Sequence, residues 1–98
     1  MGKDIHTEAV DILFEAVLSL KNKEECYCFF GDVCTVNELL SFSRRFEVAR
    51  MLSENRTYLD IADKTGASTA TISRVNRSLN YGNDGYEMVL GRLRPEDN

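Results

Sequence analysis

The stretch 57–79 constrains the fold more than any other part of the sequence. It reads Thr-Tyr-Leu-Asp-Ile-Ala-Asp-Lys-Thr-Gly-Ala-Ser-Thr-Ala-Thr-Ile-Ser-Arg-Val-Asn-Arg-Ser-Leu, two helical patterns around one glycine. Gly66 stands where the chain needs a left-handed residue to reverse direction. Thr57 with Asp60 has the spacing of a capping arrangement for the first helix, and Ser68 is placed to cap the second. Ala62 leaves room for the helices to approach, while Ile61, Ile72 and Val75 supply the apolar wedge between them. This is the pattern of a helix-turn-helix.

What remains on the second helix is its outer face: Ser68, Thr69, Ala70, Ser73, Arg74 and Arg77. A helix enters the major groove of DNA when its reading face is slim, and its N-terminal end meets the base edges. Thr69, Ala70 and Ser73 are therefore the candidate base-edge residues, since hydroxyls bond to bases directly or through water and methyl groups pack on thymine methyls. Arg74 and Arg77, with Ser68, Thr71 and the helix's N-terminal N–H groups, suit phosphate contacts that fix register.

Upstream, residues 4–21 are expected to form a helix with an unusually wide apolar arc. Ala9, Ile12, Leu13, Ala16, Val17 and Leu20 form one line and Val10, Phe14 and Leu18 a second. Asp4, Glu8, Asp11, Glu15 and Ser19 are left on a narrow polar strip, so the helix needs cover on two sides. In a chain of 98 residues a lone core is marginal, and a second copy of the chain is the natural cover. A short aromatic helix is expected from Lys23 to about Phe30, broken by Gly31-Asp32. A longer one follows Thr35-Val36-Asn37-Glu38, a capping box, and runs to about Glu54 with apolar residues in nearly every direction. After a turn-forming stretch at 80–85, a last short helix carries Tyr86, Met88, Val89 and Leu90 and ends at Gly91 and Pro95, with a frayed tail at 94–98. The expected fold is all-α, five to six helices in a single domain at 1–98. Its parts are dimerisation helices at 1–56, the helix-turn-helix at 57–80, and a C-terminal helix and tail at 81–98.

The net charge of −4 does not by itself favour a nucleic-acid ligand, because phosphate neutralisation is the main sequence-independent source of affinity. Its distribution is permissive. Residues 1–34 sum to −4 and residues 81–98 to −2, while 35–56 and 57–80 each sum to +1, and every arginine lies from Arg44 onward. No segment is long and apolar enough to span a membrane, and the first residues lack the apolar core of a secretion signal, so a soluble cytoplasmic protein is expected. Cys26, Cys28 and Cys34 are read as reduced thiols packed in the core, since residues two apart on a helix diverge and the sole histidine, His6, is distant. No metal site, cofactor or enzymatic constellation is expected: His6 has no partner at recognisable spacing and no phosphate-binding glycine loop occurs.

Four segments carry a family resemblance. They are Cys-Phe-Phe-Gly-Asp-Val-Cys-Thr (28–35), Arg-Arg-Phe-Glu-Val-Ala-Arg-Met-Leu (44–52), Thr-Gly-Ala-Ser-Thr-Ala-Thr-Ile-Ser-Arg-Val-Asn-Arg (65–77) and Leu-Asn-Tyr-Gly (79–82). With them the chain resembles the YerC/YecD group of Trp-repressor-like proteins, with the Trp repressor as a more distant relative. The resemblance implies a six-helix, intertwined homodimer whose recognition helices face successive major grooves of double-stranded DNA, and a transcriptional regulator, by type a repressor, acting on a palindromic operator. It also implies that Arg45 and Arg74 match the two arginines that sandwich the effector's indole in the repressor, making them a candidate pocket for a small-molecule effector. Val75 stands where the repressor has glycine, which argues against tryptophan in that role. Leu59 stands where the repressor uses an arginine toward DNA, so the operator is expected to differ. The competing reading, favoured by the overall acidity, is a protein-interaction adaptor that keeps the fold without specific DNA binding.

Overall fold

A computed structural model describes residues 4–94, and in it six α-helices follow one another without a strand among the described residues. They are α1 (Glu8–Leu18), α2 (Lys23–Val33), α3 (Val36–Ser53), α4 (Tyr58–Thr65), α5 (Thr69–Tyr81) and α6 (Gly85–Leu93). The chain divides into two compact units at Leu39, within α3.

The first unit contains α1, α2 and the start of α3. Its helix starts are set by side-chain caps: the Val10 N–H donates to Thr7 Oγ1 at 3.1 Å and the Glu25 N–H to Asn22 Oδ1 at 2.9 Å. At α3 the capping box closes in both directions, with Glu38 N–H donating to Thr35 Oγ1 at 3.1 Å and Thr35 N–H to Glu38 Oε1 at 2.8 Å. The first helix is shorter than the apolar pattern suggests, because Thr7 caps it at one end and the Ser19 hydroxyl donates to the Ala16 carbonyl at the other. The break expected at Gly31-Asp32 does not occur. Both residues stay helical, and α2 ends one turn later where the Cys34 N–H reaches the Phe30 carbonyl at 2.9 Å. A glycine inside a helix costs about 1 kcal/mol relative to alanine and does not stop it.

No described residue of this unit is fully buried. On α1, Ile12 is 59% exposed, Phe14 53% and Leu18 83%, and α2 has no buried residue at all. The cysteines follow: Cys26 and Cys28 are exposed and Cys34 is half-buried, all with free thiols. The expectation that they pack in a core is therefore not met within one chain, because α2 has no core to offer them.

The second unit holds the core. Val48, Ala49 and Met51 of α3, Ile61 of α4, Ala67 of the turn, Ile72 and Val75 of α5, and Leu90 of α6 form one buried cluster, flanked by Phe46, Leu52, Ala62 and Tyr86. The joint between α3 and α4 turns at Asn55, which takes the left-handed conformation at φ 63°. A string of alternating charges runs across it. Arg50 bonds Glu47 and, at 2.8 Å, Glu54; Arg56 lies 3.7 Å from Glu54 and 2.5 Å from Asp60.

The hydrogen bond from Arg50 holds the Glu47 carboxyl below the usual glutamate range. A depressed carboxyl pKa contributes stability that is present above the unfolded-state value and lost as pH falls through the folded one. Glu47→Gln is therefore expected to lower the thermal midpoint near neutral pH, with the difference from wild type shrinking as the pH falls below the ordinary glutamate range. Melting wild type and variant in parallel from pH 7 down to pH 3 checks this, and parallel curves across the range would refute it.

Candidate nucleic-acid interface

The geometry of the motif follows from its sequence. Thr57 Oγ1 accepts from the Asp60 N–H at 3.1 Å and starts α4, although the Asp60 carboxylate turns to Arg56 instead of returning to Thr57. At the far end Gly66 adopts φ 74°, and its N–H closes the helix on the Ala62 carbonyl at 2.9 Å. The Thr65 hydroxyl donates to the Ile61 carbonyl at 2.7 Å and accepts from the Ala67 N–H at 3.1 Å, which fixes the turn from both sides. Ser68 Oγ then accepts from the Thr71 N–H at 3.1 Å and starts α5. Between the helices Ile61 and Ile72 are completely buried and Val75 nearly so.

Nothing crowds the space where a Gly66 side chain would stand, so the left-handed backbone alone decides the cost of adding one. Gly66→Ala is expected to cost about 1–2 kcal/mol. Urea denaturation measures it, and a loss below a few tenths of a kcal/mol would refute the assignment of the turn to glycine's conformational freedom.

The structure brings the seven DNA-contact candidates together on α5 and its cap. Ser68, Thr69, Ala70, Arg74 and Arg77 are exposed, and Thr71 and Ser73 are half-buried. Electrostatics sets this helix apart. Every other helix carries a carboxylate in its first turn: Glu8 and Asp11, Glu24 and Glu25, Glu38, Asp60, and Glu87. The first turn of α5 has none, so its N-terminal partial positive charge is left uncompensated by its own side chains. Arg50 and Arg56 are held by carboxylates, whereas Arg74 and Arg77 take part in no ion pair among the described residues.

The candidate effector pair is placed differently. The Arg45 guanidinium lies over the Phe42 ring, 5.1 Å from its centroid, and Arg74 stands on the exposed face of α5. A groove of about 580 Å³ lies elsewhere in this unit, lined by Phe46, Tyr86, Met88 and Val89 with Ser78 and the turn at Gly82–Gly85. Neither arginine lines it. The α5 helix also runs up to two residues further than the sequence suggests, through Asn80 to Tyr81 where a turn is expected, supported by the Asn80 side-chain amide donating to the Asn76 carbonyl at 2.9 Å. An asparagine pair four apart is the signal that could have extended it.

Residues 8–94 match the family described as Trp repressor protein. The chain belongs to the Trp repressor family. It is 62% identical over 85 residues to the uncharacterized protein YerC of Bacillus subtilis, covering 87% of this chain and 82% of that protein. The crystal structure of a TrpR-like protein from Eubacterium eligens superposes with a TM-score of 0.90 at 68% identity, covering 96% of this chain and 97% of the other. A candidate Trp repressor from Staphylococcus aureus gives 0.89 at 54% identity, with 96% and 94% covered. The six-helix, Trp-repressor-like fold expected from the sequence is thus found. Within this family member Val75, the departure noted beside Arg74, is part of the buried cluster. Among the described residues no helix is long and apolar enough to cross a membrane.

Proposed function

We propose that this Trp-repressor family protein is a sequence-specific DNA-binding transcriptional regulator, a repressor by type, that grips a palindromic operator as a homodimer. The observation that carries the reading is the outer face of α5. It offers a slim N-terminal turn with no acidic side chain, followed by two cations at Arg74 and Arg77. Thr69, Ala70 and Ser73 meet base edges, while Ser68, Thr71, Arg74, Arg77 and the N-terminal N–H groups hold phosphates.

Dimerisation rests on the first unit. Three large apolar side chains of α1 stand more than half exposed and no described residue there is fully buried, a state that a second copy relieves. Residues 1–56 serve that association, residues 57–80 the DNA and residues 81–98 the closing helix and tail, all within one cytoplasmic protein. No catalytic, metal or cofactor role is assigned. Arg45 and Arg74 would hold an anionic small molecule if DNA affinity is effector-controlled, and tryptophan is disfavoured by Val75.

Selection of bound sequences from a random duplex pool tests the proposal. The expected result is a two-fold symmetric motif whose half-sites lie about one DNA turn apart, or a multiple of it. The second reading, an interaction adaptor, draws on the net charge of −4. Salt separates the two: phosphate-mediated binding weakens steeply with salt, whereas an apolar protein interface is nearly insensitive. Failure to enrich any motif at any salt would overturn the DNA-binding reading.

A further inference from the structure

The phase of α5 singles out one base-reading position. With Ile72 fully buried and the helix advancing about 100° per residue, Ala70 stands about 160° away, on the outward ridge. Arg77 and Arg74 follow it on the same ridge at about 140° and 200°. Within the first turn, then, the outermost side chain is a bare methyl group, exposed to solvent.

Its neighbours narrow the chemistry further. Ser68 Oγ is engaged with Thr71, accepting from its N–H and donating to its Oγ1, both at 3.1 Å. Thr69 is exposed and carries a methyl beside its hydroxyl. No side chain of this turn offers the paired donors that read guanine, or the amide that reads adenine. The Ala70 methyl neither donates nor accepts a hydrogen bond. Thymine is the base that presents a methyl in the major groove, and removing water from two methyl groups is what such a contact gains.

We infer that Ala70 seats against the C5-methyl of a thymine in each half-site, so that the DNA bound is a duplex with thymine fixed at one symmetric pair of positions. This rests on the DNA-binding reading above. Specificity at that pair comes from apolar contact in place of hydrogen bonds, and Arg74 and Arg77 set the depth and register at which the methyl arrives.

Deoxyuridine tests this directly, because it differs from thymidine by that methyl alone. In the selected duplex each thymine is replaced in turn, in both half-sites, and binding is measured for wild type, Ala70→Gly and Ala70→Ser. For wild type one symmetric pair is expected to weaken binding about fourfold per replaced half-site and about fifteenfold when both are changed. Ala70→Gly is expected to bind the thymine and uracil duplexes equally at that pair. Ala70→Ser, which keeps better helix propensity than glycine, is expected to do the same, so fraying of α5 in the glycine variant leaves the test intact. Uracil tolerated at every position would overturn the inference while leaving DNA binding standing. A thymine preference undiminished in both variants would assign the methyl to another residue and overturn it too. Absence of any selected motif would remove the DNA-binding reading and this inference with it.

Discussion

Ile72→Ala is expected to destabilise the protein by about 2–5 kcal/mol, the largest stability effect of any single truncation considered for the motif. Ile72 is fully buried and belongs to one cluster with Val48, Ala49 and Met51 of α3, Ile61 of α4 and Leu90 of α6. Truncation removes the transfer free energy of the lost carbons and leaves a cavity among groups that four helices hold in place. Against a typical native stability of about 5–15 kcal/mol that is a large share. Ile72→Val, which removes a single methylene, is expected to cost about 0.5–1.5 kcal/mol. Urea unfolding at fixed protein concentration distinguishes them through the transition midpoint, with the slope unchanged. Equal midpoints for the two variants would show that the site collapses around the cavity and would refute the rigid wedge.

That wedge was legible in the sequence because its determinants are local. Gly66, the caps at Thr57 and Ser68, and the apolar spacing of Ile61, Ile72 and Val75 act within one or two turns of each other, and they take the expected form except that the Asp60 carboxylate goes to Arg56 and leaves Thr57 to cap α4 alone. The Thr35–Glu38 box likewise needs only four consecutive residues. What escaped prediction depends on context that a spacing pattern does not encode. Gly31-Asp32 looked like a stop, yet no competing cap sits there and the helix continues to Val33. The apolar pattern of 4–21 overstates α1, since side chains line up on a face whether or not the backbone at each end is still helical. Of the charge string Glu47–Arg50–Glu54–Arg56–Asp60, three links join residues three or four apart, and the Arg56–Glu54 link alone crosses the α3–α4 joint, where Asn55 takes the left-handed conformation with no glycine to announce it.

The same string matters for the candidate interface. Along the sequence the arginines mark a middle that is less acidic than the ends, and pairing within the structure removes Arg50 and Arg56 from the cations available to an anionic ligand. The structure leaves Arg74 and Arg77, the proposed phosphate contacts, exposed and in no ion pair among the described residues, unlike Arg50 and Arg56. It also adds the missing first-turn carboxylate of α5, a contrast that emerges once all six helix starts are known.

Replacing both of these arginines, as Arg74→Ala with Arg77→Ala, is expected to produce the largest functional effect. Both side chains are exposed and are not involved in the buried cluster, so the fold tolerates their loss. A hydrogen bond to a charged group is worth about 1.5–3 kcal/mol, and a homodimer on a two-fold operator loses four such contacts at once. Affinity for the selected duplex should fall by on the order of 10³-fold or more. The salt dependence is the sharper readout. Each lost phosphate contact removes about 0.9 from the slope of log K against log salt, so the variant's slope should be shallower by about 3–4. Arg74→Lys with Arg77→Lys keeps the charges while giving up the planar fork, and should retain most of the slope with a smaller loss of affinity. A double alanine variant with unchanged slope would place the phosphate contacts elsewhere on the protein. One that loses affinity equally for selected and scrambled duplexes would confine these arginines to anchoring and leave sequence discrimination to the first turn of α5, where Ala70 stands.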